Sequence, residues 1–268
     1  MGESRKPRQV LRLQPQEGRR RRRRRSDRRG GAEPAAAARV ARIHRQQLLF
    51  GATRRPRLRD ASRRVLNVLI AAIGILVALP AMILVAIAIR FSSKGPVVYS
   101  QVRVGMDRRS ARRRFGDCRR QSDLGGKPFT MYKFRTMVTG ADKTQQWATV
   151  DDPRVTSVGR VLRKYRLDEL PQLFNVLRGD MNVVGPRPEQ PEIFAHLRTS
   201  IANYETRQRV RPGITGLAQV KQGYDTSVED VERKLDFDLD YLVSRSTARD
   251  LRVMLATLPV MVFKKGSR

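Results

Sequence analysis

The chain has 268 residues, with 56 Lys or Arg against 25 Asp or Glu, and a formal net charge of +31. This length is sufficient for one domain with its own core and for extensions beyond it. A single cysteine excludes an internal disulfide, and the wide separation of His44 from His196 in the sequence argues against a zinc site.

The first 61 residues are strongly basic and are predicted to form a largely disordered extension. Residues 1–64 contain 22 Lys or Arg and 5 Asp or Glu, a surplus of 22 − 5 = 17 positive charges, and residues 19–25 are all arginine. A block of like charges of this length cannot bury apolar area. Two interpretations stay open. The tail either binds anionic lipid or nucleic acid, or is solvated and dispensable, an alternative that includes a misassigned start of translation.

Residues 65–89 form an apolar run, VLNVLIAAIGILVALPAMILVAIAI, without a charge in 25 residues. Such a run can cross a hydrocarbon core of about 30 Å, and it lacks the polar face of a helix in a soluble core. Pro80 favours a break past the middle of the run, and basic residues flank both ends. Because positive residues favour the cytoplasmic side, a re-entrant helix over residues 62–91, broken at Pro80, satisfies both ends, and a spanning helix is the alternative.

Residues 92–263 have the mixed pattern of a globular domain, mainly α with short β elements. Short strands are predicted in SSKGPVVYSQVRVG (residues 92–105) and in GKPFTMYKFRTM (residues 126–137). An arginine-rich loop insertion is predicted between them, at residues 106–124. RPGITG (residues 211–216) is predicted to be a turn-rich loop.

Helices are predicted over residues 156–166, 169–178, 193–209 and 228–242. In the second of these, Asp168 is expected to be the N-cap and Gly179 the C′ residue. The later segment LRVMLATLPVMVF is too short to span a membrane and is expected to lie on a membrane surface, before a basic tail at residues 264–268.

Two acids, Asp168 and Glu169, stand side by side in KYRLDELPQLFNVLRGDMNVVGPRP (residues 164–188). An aspartate that caps a helix lies where N–H groups favour anions, which keeps it ionised as a nucleophile requires. The neighbouring Glu can hold a divalent cation shared with substrate phosphates, and Arg163 and Arg187 can clamp phosphate oxygens. This pattern indicates phosphoryl transfer, although acids at a helix start are also common capping residues that pair with nearby arginines.

The stretch LRKYRLDELPQLFNVLRGDMNVVGPRP resembles the core signature of the bacterial sugar transferases, monotopic phosphoglycosyl transferases that start glycan assembly on polyprenyl phosphate. SKGPVVYSQVRVG, KPFTMYKFRTM and RPGITGLAQV resemble further blocks of the family in the same order, so that the resemblance covers about residues 62–263. The chain departs from the family in its N-terminal extension, in the insertion at residues 106–124, and at Leu79, where serine is frequent.

The resemblance implies transfer of a sugar-1-phosphate from a UDP-sugar to polyprenyl (undecaprenyl) phosphate, with release of UMP. This would be the first membrane step in the assembly of exopolysaccharide, capsule, O-antigen or a glycoprotein glycan. Asp168 would attack the β-phosphate to form a covalent aspartyl phosphosugar intermediate, and Glu169 would hold Mg²⁺ or Mn²⁺. By motif position, the cations of the active site would be Lys133, Arg135, Arg163, Arg187 and Arg211.

The same resemblance implies a place in the inner (plasma) membrane, with the catalytic domain on the cytoplasmic face. Two other interpretations compete with it. A membrane-anchored nucleic-acid-binding protein fits the charge, but aromatic residues make up 6% of the chain and are not interleaved with the arginines. An inactive scaffold of the same family does not fit the complete DE, KFR and PRP blocks.

Overall fold

The computed structural model describes residues 57–108, 125–141, 152–223 and 228–262. All of them belong to one compact unit, residues 42–268. This part of the chain is mainly α-helical with short strands, as predicted. Most of the predicted basic extension, most of the arginine-rich insertion and the basic tail lie outside the described residues.

A single long helix, α1, runs from Arg57 to Ser92 and contains the whole apolar run. By length and composition it could cross a membrane. Helical residues continue through Pro80, so no loop interrupts the helix there, and the kink expected at this proline stays a prediction. Proline removes one backbone N–H donor, but the alanine, leucine and methionine residues around it favour helix on both sides.

Two antiparallel strands follow α1, as the sequence predicts. β1 covers Val98–Val104 and β2 covers Pro128–Phe134, in a register that pairs Val98 with Phe134 and Val104 with Pro128. Phe129, Met131 and Phe134 of β2 are buried. The strand that carries the KFR block is therefore anchored in the core.

A second, parallel strand pair was not expected from the sequence. β3 covers Asn182–Val184 and pairs with β4, Gly213–Thr215, which lies inside the predicted RPGITG loop. A Cβ atom at Gly213 would lie 2.1 Å from the backbone nitrogen of Gly185, so glycine is required where the two backbones approach. Three-residue strands carry no readable alternation, and only their pairing across the fold defines them.

The remaining helices are α2 (Ser157–Lys164), α3 (Gln172–Arg178), α4 (Pro191–Ser200), α5 (Leu217–Lys221), α6 (Val228–Ser244) and α7 (Thr247–Val262). Short 3₁₀ turns lie at Leu167–Glu169 and at Tyr204–Arg209. The helices predicted over residues 156–166 and 228–242 are confirmed, with ends that differ by one or two residues. The helix predicted over residues 193–209 is instead α4 followed by a separate 3₁₀ turn.

One face of α1 packs along its length against the rest of the domain. Its first half contributes Ala71 to an apolar cluster with Phe129, Met131, Val176 and Met181. Its second half contributes Met82, Val85 and Ile89 to a cluster with Phe134 and Leu162. Large apolar side chains elsewhere on the helix are exposed, among them Leu69, Ile73, Leu76, Val77, Leu84 and Phe91. The helix thus has one face bound to the domain and an extended apolar surface that the domain does not cover.

Candidate active site

The acid pair lies in a short turn between α2 and α3. Arg166 adopts a φ of 56°, in the left-handed region, and the 3₁₀ turn Leu167–Glu169 follows it. Both acids are nearly inaccessible, with 8% of Asp168 and 7% of Glu169 exposed. A residue other than glycine keeps a left-handed conformation only where the surrounding structure holds it there. The turn therefore places both carboxylates inside the domain.

Asp168 is not the N-cap of α3, which corrects the sequence expectation. α3 begins at Gln172, three residues after the predicted start at Glu169, and Pro171 directly precedes it. Proline has no N–H group, so it fits the start of a helix, where that group would lack an intrahelical partner. Gly179 ends the helix in the left-handed conformation with a φ of 87°, as predicted.

Glu169 is surrounded by positive side chains from separate parts of the chain. Its Oε1 atom lies 2.9 Å from Nη2 of Arg187, 3.4 Å from Nζ of Lys133 and 3.8 Å from Nη1 of Arg166. Lys133 comes from β2, Arg166 from the turn before the acids, and Arg187 from the segment after β3. We call these five residues, Asp168 included, the acid-pair cluster. Lys133 and Arg187 are two of the cations that the resemblance placed in the site.

The environment separates the pKa values of the two acids. Burial by itself would raise the pKa of Glu169, but the charges of Arg187 and Lys133 outweigh it and hold this pKa well below its usual range. Burial raises the pKa of Asp168; Lys133 opposes this shift, and the adjacent Glu169 adds to it. Helix capping therefore does not lower the pKa of Asp168, contrary to expectation. As pH falls, Asp168 is the member of the pair that takes up a proton first.

Buried acids with shifted pKa values are typical of functional sites, and the surplus of cations around this pair suits an anionic ligand. Comparison with known proteins gives the family in which this site occurs. A family model described as bacterial sugar transferase matches residues 58–264. The chain belongs to the bacterial sugar transferase family. The match covers the residues that carry the resemblance, and it favours the enzyme over the nucleic-acid-binding alternative.

Individual relatives of this sugar transferase have informative names. A UDP-glucose:undecaprenyl-phosphate glucose-1-phosphate transferase of Caulobacter vibrioides is 40% identical over 208 residues, which are 76% of this chain and 70% of the relative. A protein of the same name from Escherichia coli K12 is 38% identical over 199 residues, which are 73% of this chain and 39% of the relative.

A third relative acts on a different sugar. It is a UDP-N-acetylgalactosamine-undecaprenyl-phosphate N-acetylgalactosaminephosphotransferase of Aeromonas hydrophila, 37% identical over 207 residues. The match covers 77% of this chain and 45% of the relative. The chain thus spans less than half the length of two of these three relatives, and the three names give two different sugars.

Arg163 of the sugar transferase lies at the edge of the acid-pair cluster. Its Nε atom donates a hydrogen bond to Oγ1 of Thr136 at 3.0 Å. Its positive charge lowers the pKa of Asp168 against the effect of burial, though less than the charges of Lys133 and Arg187 do. Arg163 is therefore close enough to the acids for an electrostatic role, as the motif suggests.

The structure places Arg135 and Arg211 elsewhere. Nη2 of Arg135 donates to the carbonyl oxygen of Ser93 at 2.7 Å, and Nη1 donates to that of Lys94 at 3.0 Å, at the end of α1. Nε of Arg211 donates to the carbonyl oxygen of Gly179 at 2.9 Å, at the end of α3. Within the described part of the chain, neither side chain makes a contact with the acid pair. A phosphate-binding role for either residue stays a prediction.

Sequence reasoning missed two arginines near the acids. Arg166 contacts Glu169 directly, and Arg103 donates from Nη1 to the carbonyl oxygen of Pro188 at 3.1 Å, beside Arg187. Burial lowers the pKa of Arg103 to about 10, against the opposing charge of Glu189. Both arginines lie in motifs that resemble the family, Arg103 in RVG and Arg166 in YRLDE. Along β1, Arg103 alternates with exposed residues and lies on the same inner face as Tyr99 and Gln101. That alternation is the signal that could have identified it.

The donor set suits a divalent cation only in part. Among the described residues, no group of three or more His, Cys, Asp or Glu side chains is arranged to hold a metal ion. Mg²⁺ commonly binds through one or two carboxylates and takes its other ligands from water and substrate phosphates. Asp168 and Glu169 can supply those two carboxylates. The pair therefore fits Mg²⁺ or Mn²⁺ as a site that a phosphate substrate completes.

Proposed function

We propose that this sugar transferase moves a sugar-1-phosphate from a UDP-sugar to polyprenyl phosphate and releases UMP. The single observation that carries the proposal is the composition of the acid-pair cluster. Three cations contact the Glu169 carboxylate, namely Lys133, Arg166 and Arg187. Of the two acids, only Glu169 has a strongly depressed pKa. Such a surplus of positive charge suits a bound diphosphate. Arginine binds phosphate oxygens through two parallel hydrogen bonds.

Asp168 is the nucleophile of the proposed reaction. Once it has lost its proton, a carboxylate oxygen attacks the β-phosphorus of the UDP-sugar. The bond from that phosphorus to the oxygen bridging the two phosphates breaks, and the bridging oxygen leaves with UMP. A phosphate oxygen of polyprenyl phosphate then attacks the same phosphorus, and the Asp168 carboxylate leaves. Lys133 and Arg163 support the ionised form of Asp168, because their charges lower its pKa.

In the proposed reaction, Glu169 positions the two cations Arg187 and Lys133. Its Oε1 atom fixes Arg187 and Lys133, which orients both cations toward the phosphate oxygens. Its second oxygen, with Asp168, would hold Mg²⁺ or Mn²⁺. The bound ion would neutralise part of the negative charge of the diphosphate as the reaction proceeds.

We also propose that α1 enters the membrane from the cytoplasmic face and returns to it. Near its start, Nη2 of Arg63 lies 2.8 Å from Oδ2 of Asp250 and donates to the hydroxyl of Tyr241 at 2.6 Å. Near its end, Arg135 holds the carbonyl oxygens of Ser93 and Lys94. Both ends of the apolar run are therefore tied to the same domain.

The length of α1 supports this arrangement. A helix of 36 residues would be about 54 Å long if it were straight, more than a bilayer core requires. In a straight span, the domain packed along the helix would be drawn into the bilayer with its charged groups, where charges are expensive. Exposed leucines on α7, namely Leu251, Leu255 and Leu258, extend the apolar surface available to lipid.

The activity is tested in membranes that contain the protein, with polyprenyl phosphate, Mg²⁺ and a panel of UDP-sugars that includes UDP-glucose and UDP-N-acetylgalactosamine. We expect UMP release with at least one donor and its loss in Asp168→Asn. Asp180→Asn makes the same chemical change twelve residues away, outside the acid-pair cluster, and should stay active. Absence of UMP release with every donor, or normal turnover by Asp168→Asn, would contradict the proposal.

The topology is tested by labelling with an impermeant thiol reagent in intact cells. Cys118→Ser removes the only native thiol, and single cysteines then replace Ser62 or Ser267. We expect protection of both positions, and labelling of both after the cells are opened. Labelling of the Ser62 position alone in intact cells would indicate a spanning helix.

A further inference from the structure

A second cluster of buried charge lies outside the acid-pair cluster. Nη2 of Arg207 is 2.8 Å from Oδ2 of Asp238 on α6, and Nη1 is 3.1 Å from Oε1 of Glu189. The hydroxyl of Tyr204 also accepts a hydrogen bond from Arg207. Arg207 and Asp238 are 4% and 2% exposed. These four residues form the Arg207 cluster, in which one guanidinium joins α6, a 3₁₀ turn and the segment after β3.

The segment that the cluster reaches is residues 185–189, GPRPE, which begins where β3 ends. Pro186 and Pro188 flank Arg187 and have no N–H groups, so the segment cannot continue the strand by backbone pairing alone. Its carbonyl oxygens have other donors. Nη2 of Arg207 donates to the carbonyl of Arg187 at 3.1 Å, and the N–H of Val104 donates to that of Glu189 at 2.9 Å.

The position of Arg187 depends on that backbone. Its side chain is 37% exposed, and it donates from Nη2 to Oε1 of Glu169 at 2.9 Å. A long, partly exposed arginine reaches a defined place only if its main chain is fixed, since its free rotamers are many. Arg207 contacts this main chain directly and is nearly fully buried, so its own place is set by Asp238 and Glu189.

We propose that Arg207 is a positioning residue that fixes the main chain of residues 185–189 and thereby holds Arg187 against Glu169. The inference rests on the proposed function, in which Arg187 binds the diphosphate. It adds a chain of contacts from α6 through Asp238 and Arg207 to the active site. A substitution at Arg207 should therefore act on catalysis through Arg187 and through no other group.

The structure contains a matched control. Arg63, Asp250 and Tyr241 form another buried cluster of arginine, aspartate and tyrosine, here called the Arg63 cluster. Asp250 is 1% exposed and accepts from Arg63 as Asp238 accepts from Arg207. Asp250 accepts hydrogen bonds from Arg63 and Tyr241, and the Tyr241 hydroxyl also donates to the carbonyl oxygen of Val184, the last residue of β3. Loss of Asp250 therefore removes the same chemistry without removing a direct contact to residues 185–189.

The first test compares Arg207→Lys, Asp238→Asn and Asp250→Asn in the full-length protein in lipid nanodiscs. Lysine keeps the charge of Arg207 but cannot reach Asp238, Glu189 and the Arg187 carbonyl together. We expect Arg207→Lys and Asp238→Asn to lower kcat/KM for the UDP-sugar about tenfold or more, the usual effect of losing a supporting contact. Asp250→Asn should stay within about threefold. Equal losses in all three variants would overturn the proposal.

A double-mutant cycle then tests the route. If Arg207 acts only through Arg187, adding Arg207→Lys to Arg187→Lys should change kcat/KM by less than about threefold. An effect as large as in the wild-type background would show an independent role and would overturn the proposal.

Amide hydrogen exchange tests the positioning role independently of the proposed function. It also provides a test if the Asp238→Asn variant does not fold. In Arg207→Lys, the hydrogen-bonded amides that pair with the backbone of this segment, those of Gly185, Gly213 and Val104, should exchange faster, while Asp250→Asn leaves them protected. This measurement needs no turnover. A wild-type protein without UMP release would contradict the proposed function, and unchanged exchange in Arg207→Lys would contradict the positioning role.

Discussion

The acid-pair cluster and the Arg207 cluster are both built from buried acids and arginines, but their charges balance differently. In the Arg207 cluster, one guanidinium faces two carboxylates, Asp238 and Glu189. In the acid-pair cluster, three cations contact Glu169, and the pKa of its neighbour Asp168 is raised. The donors of the Arg207 guanidinium are taken up by protein oxygens, which holds structure, whereas the surplus of cations around the acid pair favours an anionic ligand. The difference separates a scaffold from a binding site.

The largest effect is expected from Glu169→Gln. The change removes the anion that orients Arg187 and Lys133, so kcat/KM for UMP release should fall about 10³-fold, or about 4 kcal/mol of transition-state stabilisation. The melting temperature should fall as well, because the buried, ionised Glu169 stabilises the fold through the same ion pairs. A large drop in melting temperature with modest loss of activity would assign the acid-pair cluster to the scaffold instead.

Asp238→Asn should act more strongly on stability than on activity. It leaves Arg207 buried without its main counterion, and breaking a buried pair in this way typically destabilises by about 3–5 kcal/mol. Denaturant unfolding in detergent measures the change, with Asp236→Asn on the same helix as the control. A stability equal to that of wild type would show that the Arg207 cluster does not support the fold.

The pH dependence of activity tests the raised pKa of Asp168. Burial raises this pKa and Lys133 lowers it, so kcat/KM should rise with pH as Asp168 loses its proton. Lys133→Gln should reduce activity about 10²-fold and move the acid limb of the profile to higher pH. Lys164→Gln, at an exposed position on α2, is the control. An acid limb that stays in place or moves to lower pH would contradict the assignment.

The same shifts predict how stability depends on pH. Asp168 binds its proton more tightly in the folded state, so its contribution is present at low pH and is lost as pH rises through the raised pKa. Glu169 has the opposite sign, because its folded pKa is depressed, and its contribution is lost as pH falls through that value.

The smallest effects are expected for Arg135→Gln and Arg211→Gln. Arg135 holds carbonyl oxygens at the end of α1, and Arg211 holds the carbonyl of Gly179. We expect losses of about 1.5–3 kcal/mol in stability for Arg135 and about 1 kcal/mol for Arg211, with activity changes below those of Lys133→Gln. A loss of activity equal to that of Lys133→Gln, at unchanged stability, would place either arginine among the residues that bind substrate.

Several features could be predicted from local sequence. The apolar run predicts α1, short β-branched runs predict β1 and β2, and a glycine after an amphipathic stretch predicts the end of α3. The acid pair and two of its cations, Lys133 and Arg187, were also identified, because they lie in motifs that the family shares. These helices, strands and motif residues depend on amino acids that are close together in the sequence, so one sequence is enough to predict them.

Other features depended on contacts between distant residues. Lys133 and Arg135 stand two positions apart in one motif, yet one contacts Glu169 and the other holds the end of α1. Arg63 and Asp250 meet across 187 positions of sequence. The sequence determined which charges the molecule carries and where its helices and strands form. Only the tertiary structure decided which charges meet and which are buried. Burial and the distance between charges fix both the pKa of Asp168 and the partner of each arginine, and packing alone sets those two quantities.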